Sequence, residues 1–200
     1  MLTDFSLKEL RAEALNELAS YLDSVYTYHN AEHTREVSLA IDEFTEVMQM
    51  TPDRRFILQF AALFHDFGYL DAAENNEALA LPYMQKYALR YNISENVVNE
   101  AYKLILETAF PYQPSTFDGK LLCDADIEYT GSDDFIKKAL LFRTELSGLG
   151  KEFSEEEWWM FELEFLHKNA YFTDVCRQLR ESGRLKNLER IEKIIANLKG

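Results

Sequence analysis

Glycine and proline are scarce in this chain, seven and four among 200 residues, which argues against long irregular loops and against turn-dense β architectures. Cysteine is scarcer still. Cys123 and Cys176 cannot build a disulfide framework, so a reduced, cytoplasmic setting is the expectation. No apolar run approaches the roughly 18 residues of a membrane span. Met1–Arg11 mixes Asp4, Lys8 and Glu9 with apolar residues and lacks the apolar core of a secretory leader. Basic residues are outnumbered: 21 Lys and Arg face 35 Asp and Glu, a formal net charge of -14. That balance argues against a broad nucleic-acid surface and leaves room for a small anionic ligand held by local cations or a metal. Self-association into a homo-oligomer is left open.

What the chain has in quantity is apolar residues spaced by three and four. Val37, Ala40, Ile41, Phe44, Val47 and Met48 form one stripe, Val97, Val98, Ala101, Leu104 and Ile105 a second, and Leu188, Ile191, Ile195 and Leu198 a third. At this length one domain buries roughly 70% of its unfolded surface without staples. The expectation is therefore a single all-α domain, a helical bundle over residues 1–200. Start signals agree: Ser6 with Glu9 and Ser154 with Glu157 match capping boxes, and Thr51-Pro52 offers a cap followed by proline. Helices are predicted over about 4–22, 31–49, 52–66, 74–90, 94–109, 119–130, 132–147, 154–169 and 185–199, with a short one near 173–181. Pro82 should kink or split the fourth of these. The stretch Pro111–Gly119 reads as a connection across the mouth of a site. Trp158 and Trp159 are adjacent, so both should not point inward, and one should be partly exposed. His167 reads as a structural residue.

Histidine is also rare, four in all, yet three of the four fall into two clusters beside acidic residues: His29-Asn30-Ala31-Glu32-His33 and His65-Asp66. Imidazole and carboxylate are the ligands shared by Zn, Mn, Fe and similar divalent ions, and a thiolate-free set leans toward chemistry over a structural clip. Asn30 is a good N-cap, which would put His29 just before a helix and His33 in its first turn. His65-Asp66 ends an apolar segment, with Gly68 where a C-cap glycine would sit. A further ligand is expected from Asp124-Ala125-Asp126. Residues at i and i+2 point to different sides of a helix; with Leu122 and Ala125 on the apolar side, Asp126 is the choice.

These motifs resemble the HD-domain superfamily of metal-dependent phosphohydrolases, whose signature is His, then His-Asp, then Asp on an all-α bundle. Within it the chain is similar to a bacterial group of predicted phosphohydrolases with a Tyr-His-Asn-x-x-His motif, here Tyr28-His29-Asn30-Ala31-Glu32-His33. The resemblance covers residues 26–130, through His65-Asp66, Glu74-Asn75-Asn76-Glu77 and Asp124-Ala125-Asp126, and extends loosely through Arg143-Thr144-Glu145 and Tyr171-Phe172-Thr173. It implies one divalent ion (Mn, Fe, Mg, Co, Ni or Zn) held by His33, His65, Asp66 and Asp126. It also implies that His29 stands near the leaving oxygen. Many relatives carry a further histidine after the segment matching Leu106-Glu107-Thr108; here Ala109, Phe110, Pro111 and Tyr112 follow, which points to a one-metal site.

The expected activity is hydrolysis of a phosphoester of a small molecule, with a nucleotide as the expected substrate. Asp66 would bind the ion and accept a hydrogen bond from the attacking water, while His29 would donate a proton to the leaving oxygen. Asn30, Glu77, Arg143 and Lys168 are the candidate substrate contacts. The rival reading is a catalytically silent metal or nucleotide sensor, or an interaction module, on the same fold.

Overall fold

The apolar stripes predict helices, and the computed structural model, which describes the backbone of residues 4–199 and the side chains from Leu7 onward, is all-α. Among the described residues there are nine α-helices and no strand: α1 (Asp4–Tyr21), α2 (Ala31–Val47), α3 (Pro52–Phe64), α4 (Asn76–Tyr91), α5 (Glu95–Leu106), α6 (Phe117–Asp126), α7 (Phe135–Gly148), α8 (Glu155–Lys168) and α9 (Asp174–Leu198). Short 3₁₀ turns at Phe67–Leu70 and Glu128–Gly131 follow α3 and α6. None of these helices is long and apolar enough to cross a membrane.

Side-chain caps start several helices where the sequence places them. Asn30 Oδ1 accepts from the Glu32 and His33 amides at 2.9 and 3.3 Å. Ser154 and Glu157 form the reciprocal capping box. Such a cap is worth about 1 kcal/mol. Thr51 precedes the N-terminal proline of α3 but makes no side-chain cap bond. Ser6 lies inside α1, which already runs from Asp4, and so does not start it.

The side chains divide between two cores. The larger gathers Leu10, Ile41, Phe44, Leu58, Phe64, Met84, Ile105 and Leu121 from α1 to α6. The smaller joins Phe135, Trp158, Trp159, Ile191 and Ile195 of α7 to α9 with Tyr28 and Tyr129. The stripes fill these cores except at their ends. Val47, Met48 and Leu198 are exposed, because the last turn of α2 and of α9 runs past its neighbours.

Three sequence expectations need correction. Pro82 neither splits nor ends α4; the Ala78 carbonyl, which a proline amide cannot reach, accepts instead from the Tyr102 hydroxyl of α5 at 3.3 Å. Trp158 and Trp159 are both buried. Trp158 packs on Phe142, Phe153 and Phe161, while Trp159 belongs to the same core as Ile191 and Ile195 of α9, so α8 is covered on two sides. The separate helices expected near 173–181 and 185–199 are one continuous α9. Gly183, which lies between those two expected ranges, serves close approach: a Cβ there would stand 1.9 Å from the Gly131 carbonyl oxygen. Asn187 secures the same contact, donating to the Thr130 and Ser132 carbonyls at 2.9 and 2.8 Å.

Gly183→Ala tests this packing against simple helix propensity. Propensity alone favours alanine by about 1 kcal/mol, but the clash is with backbone, which cannot swing aside. We expect a net loss of about 2 kcal/mol, read as a fall in Tm of roughly 4–8 °C. A rise in Tm would show that α9 does not press on the Glu128–Gly131 turn.

Candidate functional site

Four side chains from three parts of the chain meet in one cluster. His33 comes from the first turn of α2, His65 and Asp66 from the end of α3, and Asp126 from the last residue of α6. His33 Nε2 lies 3.4 Å from His65 Nε2 and 3.0 Å from Asp126 Oδ1. Asp66 Oδ2 is 3.4 Å from His33 Nε2 and 3.2 Å from His65 Nε2, and Asp126 Oδ1 is 3.5 Å from His65 Nε2. Donors bound to one ion at about 2.0–2.2 Å stand about 2.8–3.6 Å apart in tetrahedral or cis-octahedral geometry, so these separations fit a common cation.

Two further observations favour that fit. Asp66 Oδ2 is buried and has no aligned hydrogen-bond partner despite its near neighbours. His65 Nδ1 donates to the Ala62 carbonyl at 2.8 Å, which leaves the Nε2 lone pair free to bind. The donors of His33, His65 and Asp66 all lie within 4.8 Å of one another. Asp126 completes the set and is held from behind by the Tyr112 hydroxyl, which donates to Oδ2 at 3.0 Å.

The other aspartate of the pair does something else. Asp124 is fully buried and accepts from the Phe172 and Thr173 amides, each at 2.7 Å, and from the Thr173 hydroxyl at 2.5 Å. It anchors the start of α9. Gly68 also departs from expectation: it is not a left-handed cap. A Cβ at Gly68 would stand 1.9 Å from the Asn76 carbonyl oxygen, so its role is to let the turn after Asp66 press on α4.

His29 stands beside the cluster. Its ring is one-fifth exposed, stacks on Tyr69 with centroids 4.7 Å apart, and approaches the His33 ring edge-on at 5.8 Å. Its Nδ1 is bonded to Glu145 Oε1 of α7 at 2.5 Å. Glu145 Oε2 accepts from the Tyr28 and His29 amides at 2.8 and 3.0 Å, so one buried carboxylate fixes both the backbone and the ring.

The charges of these groups outweigh their burial. Burial opposes charge on His65, yet Asp66 and Asp126 hold it well above the usual imidazole range. Burial alone would raise both carboxyls; the His65 charge holds Asp66 down, and bonds from His33 and His65 hold Asp126 down. At His29 burial is again opposed, by the Glu145 bond and then the charge of Asp66, and the pKa is raised.

The expected substrate contacts are dispersed. Glu77 is half-buried near the cluster: burial, with a smaller contribution from the charges of Asp66 and Asp126, raises its carboxyl. Asn30 is used as a cap, its amide nitrogen donating to the Thr27 carbonyl at 2.8 Å. Arg143 donates to the Phe153 carbonyl at 2.5 Å and so ties down the segment before α8. Lys168 is exposed at the end of α8, paired with Glu164, and lines a surface groove with His167, away from the cluster. An exposed basic side chain, Lys151, lines a 380 Å³ cavity together with His29, Tyr69, Tyr112, Asp126 and Glu145. Phe110 and Tyr112 of the connection between α5 and α6 also line it, as expected of a segment at the mouth of a site. Glu145 was the residue hardest to find from sequence, being 116 positions from its partner. One signal exists: it is an acid on the apolar stripe of Leu141, Phe142 and Leu146.

With this geometry in hand, comparison with known proteins shows a fold and no more. No protein-family model and no curated protein matches the chain. Its fold is similar to that of a structural-genomics protein from Lactobacillus plantarum, at 15% identity and a TM-score of 0.69, covering 100% of this chain and 99% of that one. The whole chain thus has a counterpart of the same helical architecture.

The two aspartates are separable by experiment. Asp126→Ala, like His65→Ala, is expected to abolish stoichiometric Mn²⁺ binding by elemental analysis. Asp124→Ala should keep the metal but lose about 2 kcal/mol or more of stability, since the buried Thr173 amide and the part-buried Phe172 amide are left without their acceptor. Because protons must leave the rings before a metal enters, Mn²⁺ affinity should fall about tenfold per pH unit below the raised His65 pKa. A pH-independent affinity would remove His65 from the ligand set.

Proposed function

We propose that this protein is a metal-dependent phosphohydrolase of the HD-domain type, acting on a phosphoester of a small molecule, with a nucleotide as the favoured substrate. The observation that carries the reading is a four-donor cluster with a separate, carboxylate-bound histidine beside it, His29 and the donor Asp126 lining one cavity. His33, His65, Asp66 and Asp126 would hold one divalent ion of the Mn, Fe, Mg, Co, Ni or Zn class. When bound, such an ion supplies an activated water and offsets charge on a phosphoryl oxygen.

The protein's own groups account for the remaining chemistry. With Nδ1 committed to Glu145, His29 has Nε2 available to the cavity, and its raised pKa keeps a proton there above the ordinary histidine range. Glu145 stabilises the imidazolium and sets its orientation; His29 donates the Nε2 proton to the departing oxygen, a contribution of typically 10²–10⁴ in rate. Lys151 and the His29 cation provide the positive charge a phosphate requires in an otherwise acidic site. Glu77 would accept a hydrogen bond from water or a substrate hydroxyl. A silent sensor needs the four donors but has no use for a proton-donating pair, so the His29–Glu145 bond favours the enzyme.

The test is turnover by Mn²⁺-loaded protein over a panel of nucleotides and sugar phosphates, with His29→Ala alongside. The variant should lose at least about a hundredfold in kcat, about 2.7 kcal/mol, with unchanged metal content. Glu145→Gln weakens the hold on the His29 proton, lowers its pKa, and should move the alkaline limb of the rate profile toward lower pH. A metal-loaded wild type inert toward the whole panel would favour the sensor.

A further inference from the structure

Glu162 is an acid in the middle of an apolar stripe, with Trp158 and Trp159 a turn before it and Phe165 and Leu166 a turn after it. The structure leaves it 1% exposed on α8, in the wall of the 380 Å³ cavity that also opens on His29 and Asp126. Its Oε2 is buried and meets no donor. It forms no ion pair among the described residues, and Lys151, the cation on the same cavity, is not its partner. Burial without a counter-charge pushes its carboxyl up to about 8. The carboxyl lies close enough to Tyr129 to add to the burial that raises that hydroxyl.

Around it the walls are aromatic: Tyr28, Tyr129, Phe142, Phe153, Phe161 and Phe165 all face the cavity. Flat faces with one unsatisfied acceptor describe a ligand that is itself flat and carries an N–H at its edge. The volume falls within the range of about 300–1,000 Å³ usual for small-molecule sites. The phosphate end belongs beside His29 and the four donors, so the cavity is left for the rest of the molecule. The protonated carboxyl that this burial favours offers a C=O acceptor beside an O–H donor, which matches an N–H and the adjacent ring nitrogen of a neutral heterocycle and does not match an alkylammonium, which calls for an ionised partner.

We infer that this cavity receives a nucleobase-type nitrogen heterocycle and that Glu162 selects it by hydrogen bonding to its N–H edge. The inference rests on the phosphohydrolase reading and names the part of the substrate that the phosphate chemistry does not read. A site built to pair an N–H discriminates strongly against the analogue that lacks it, because the buried acceptor is then stranded.

Nucleosides test this without a phosphate. Calorimetric titration of the full chain with adenosine, guanosine and purine riboside, which has no exocyclic amine or ring N–H on its pairing edge, compares donors on one ring shape. Choline serves as the cationic probe. At least one of adenosine and guanosine should bind at least tenfold tighter than purine riboside. E162A should collapse that difference, since adenosine or guanosine loses its partner and purine riboside no longer strands one. E162Q, which keeps an acceptor oxygen, should retain most of the discrimination; circular dichroism checks that both variants fold. Equal binding of purine riboside, discrimination that survives in E162A, absence of nucleoside binding, or preference for choline would overturn the inference. Hydrolysis of p-nitrophenyl phosphate and bis(p-nitrophenyl) phosphate, a monoester and a diester without a nucleobase, by Mn²⁺-loaded protein is run in parallel. Nucleoside discrimination without that activity would overturn the phosphohydrolase reading alone, and the activity without discrimination would overturn the role of Glu162 alone.

Discussion

Two imidazoles and two carboxylates cannot be gathered inside an apolar bundle unless they face one another, because each ion taken from water costs several kcal/mol. The fold brings His33, His65, Asp66 and Asp126 to one point, and the elements that do so are constrained by it. The Asn30 cap sets where α2 begins, and hence where His33 points. The end of α3 places His65, whose ring is held by the Ala62 carbonyl. Gly68 admits α4 against the next turn, and Tyr112 steadies Asp126 from the α5–α6 connection. Mutual attraction within the cluster outweighs desolvation, which is why His65 is driven up while both carboxyls are driven down.

The cluster lies where two cores meet. The chain up to the end of α6 supplies all four donors, and α7, α8 and the segment between them supply Glu145, Glu162 and part of the aromatic wall, Phe142, Phe153, Phe161 and Phe165. Glu145 joins the two halves by taking both amides at Tyr28-His29 and the His29 ring, and the Thr27 hydroxyl adds a bond to the Leu141 carbonyl at 2.7 Å. Asp124 and Gly183 fix the same halves elsewhere, at the start of α9 and against the Glu128–Gly131 turn. Neighbouring acids on α6 therefore serve different ends: Asp126 faces the cation cluster, and Asp124 binds the chain to itself.

This division gives the proposed chemistry its layout. The four-donor cluster, with its buried, unpartnered Asp66 oxygen, stands at one end, a histidine oriented by a carboxylate stands beside it, and an aromatic chamber with its own lone acid adjoins them. The acidity of the whole chain suits such a layout: a bound cation and the His29 proton would be the main positive charges at the reacting end, with Lys151 at the rim.

Sequence by itself determined the helical class and most helix positions, since a 3.6-residue stripe has no other way to bury its apolar face. It also determined which histidines and acids could act together, because few residue types bind divalent ions and their local spacing was visible. Tertiary structure decided what depends on distant neighbours. Whether Gly183 breaks a helix or admits a turn depends on Gly131, and whether Pro82 ends one depends on Tyr102 reaching the Ala78 carbonyl. Trp158 and Trp159 are both buried only because α8 is covered from two sides. Asn30, Arg143 and Lys168 carry suitable groups, but their bonds are spent elsewhere. Glu145 and Glu162 gave only a faint signal, an acid on an apolar stripe, because a buried carboxylate takes its meaning from donors far away in the chain, or from their absence.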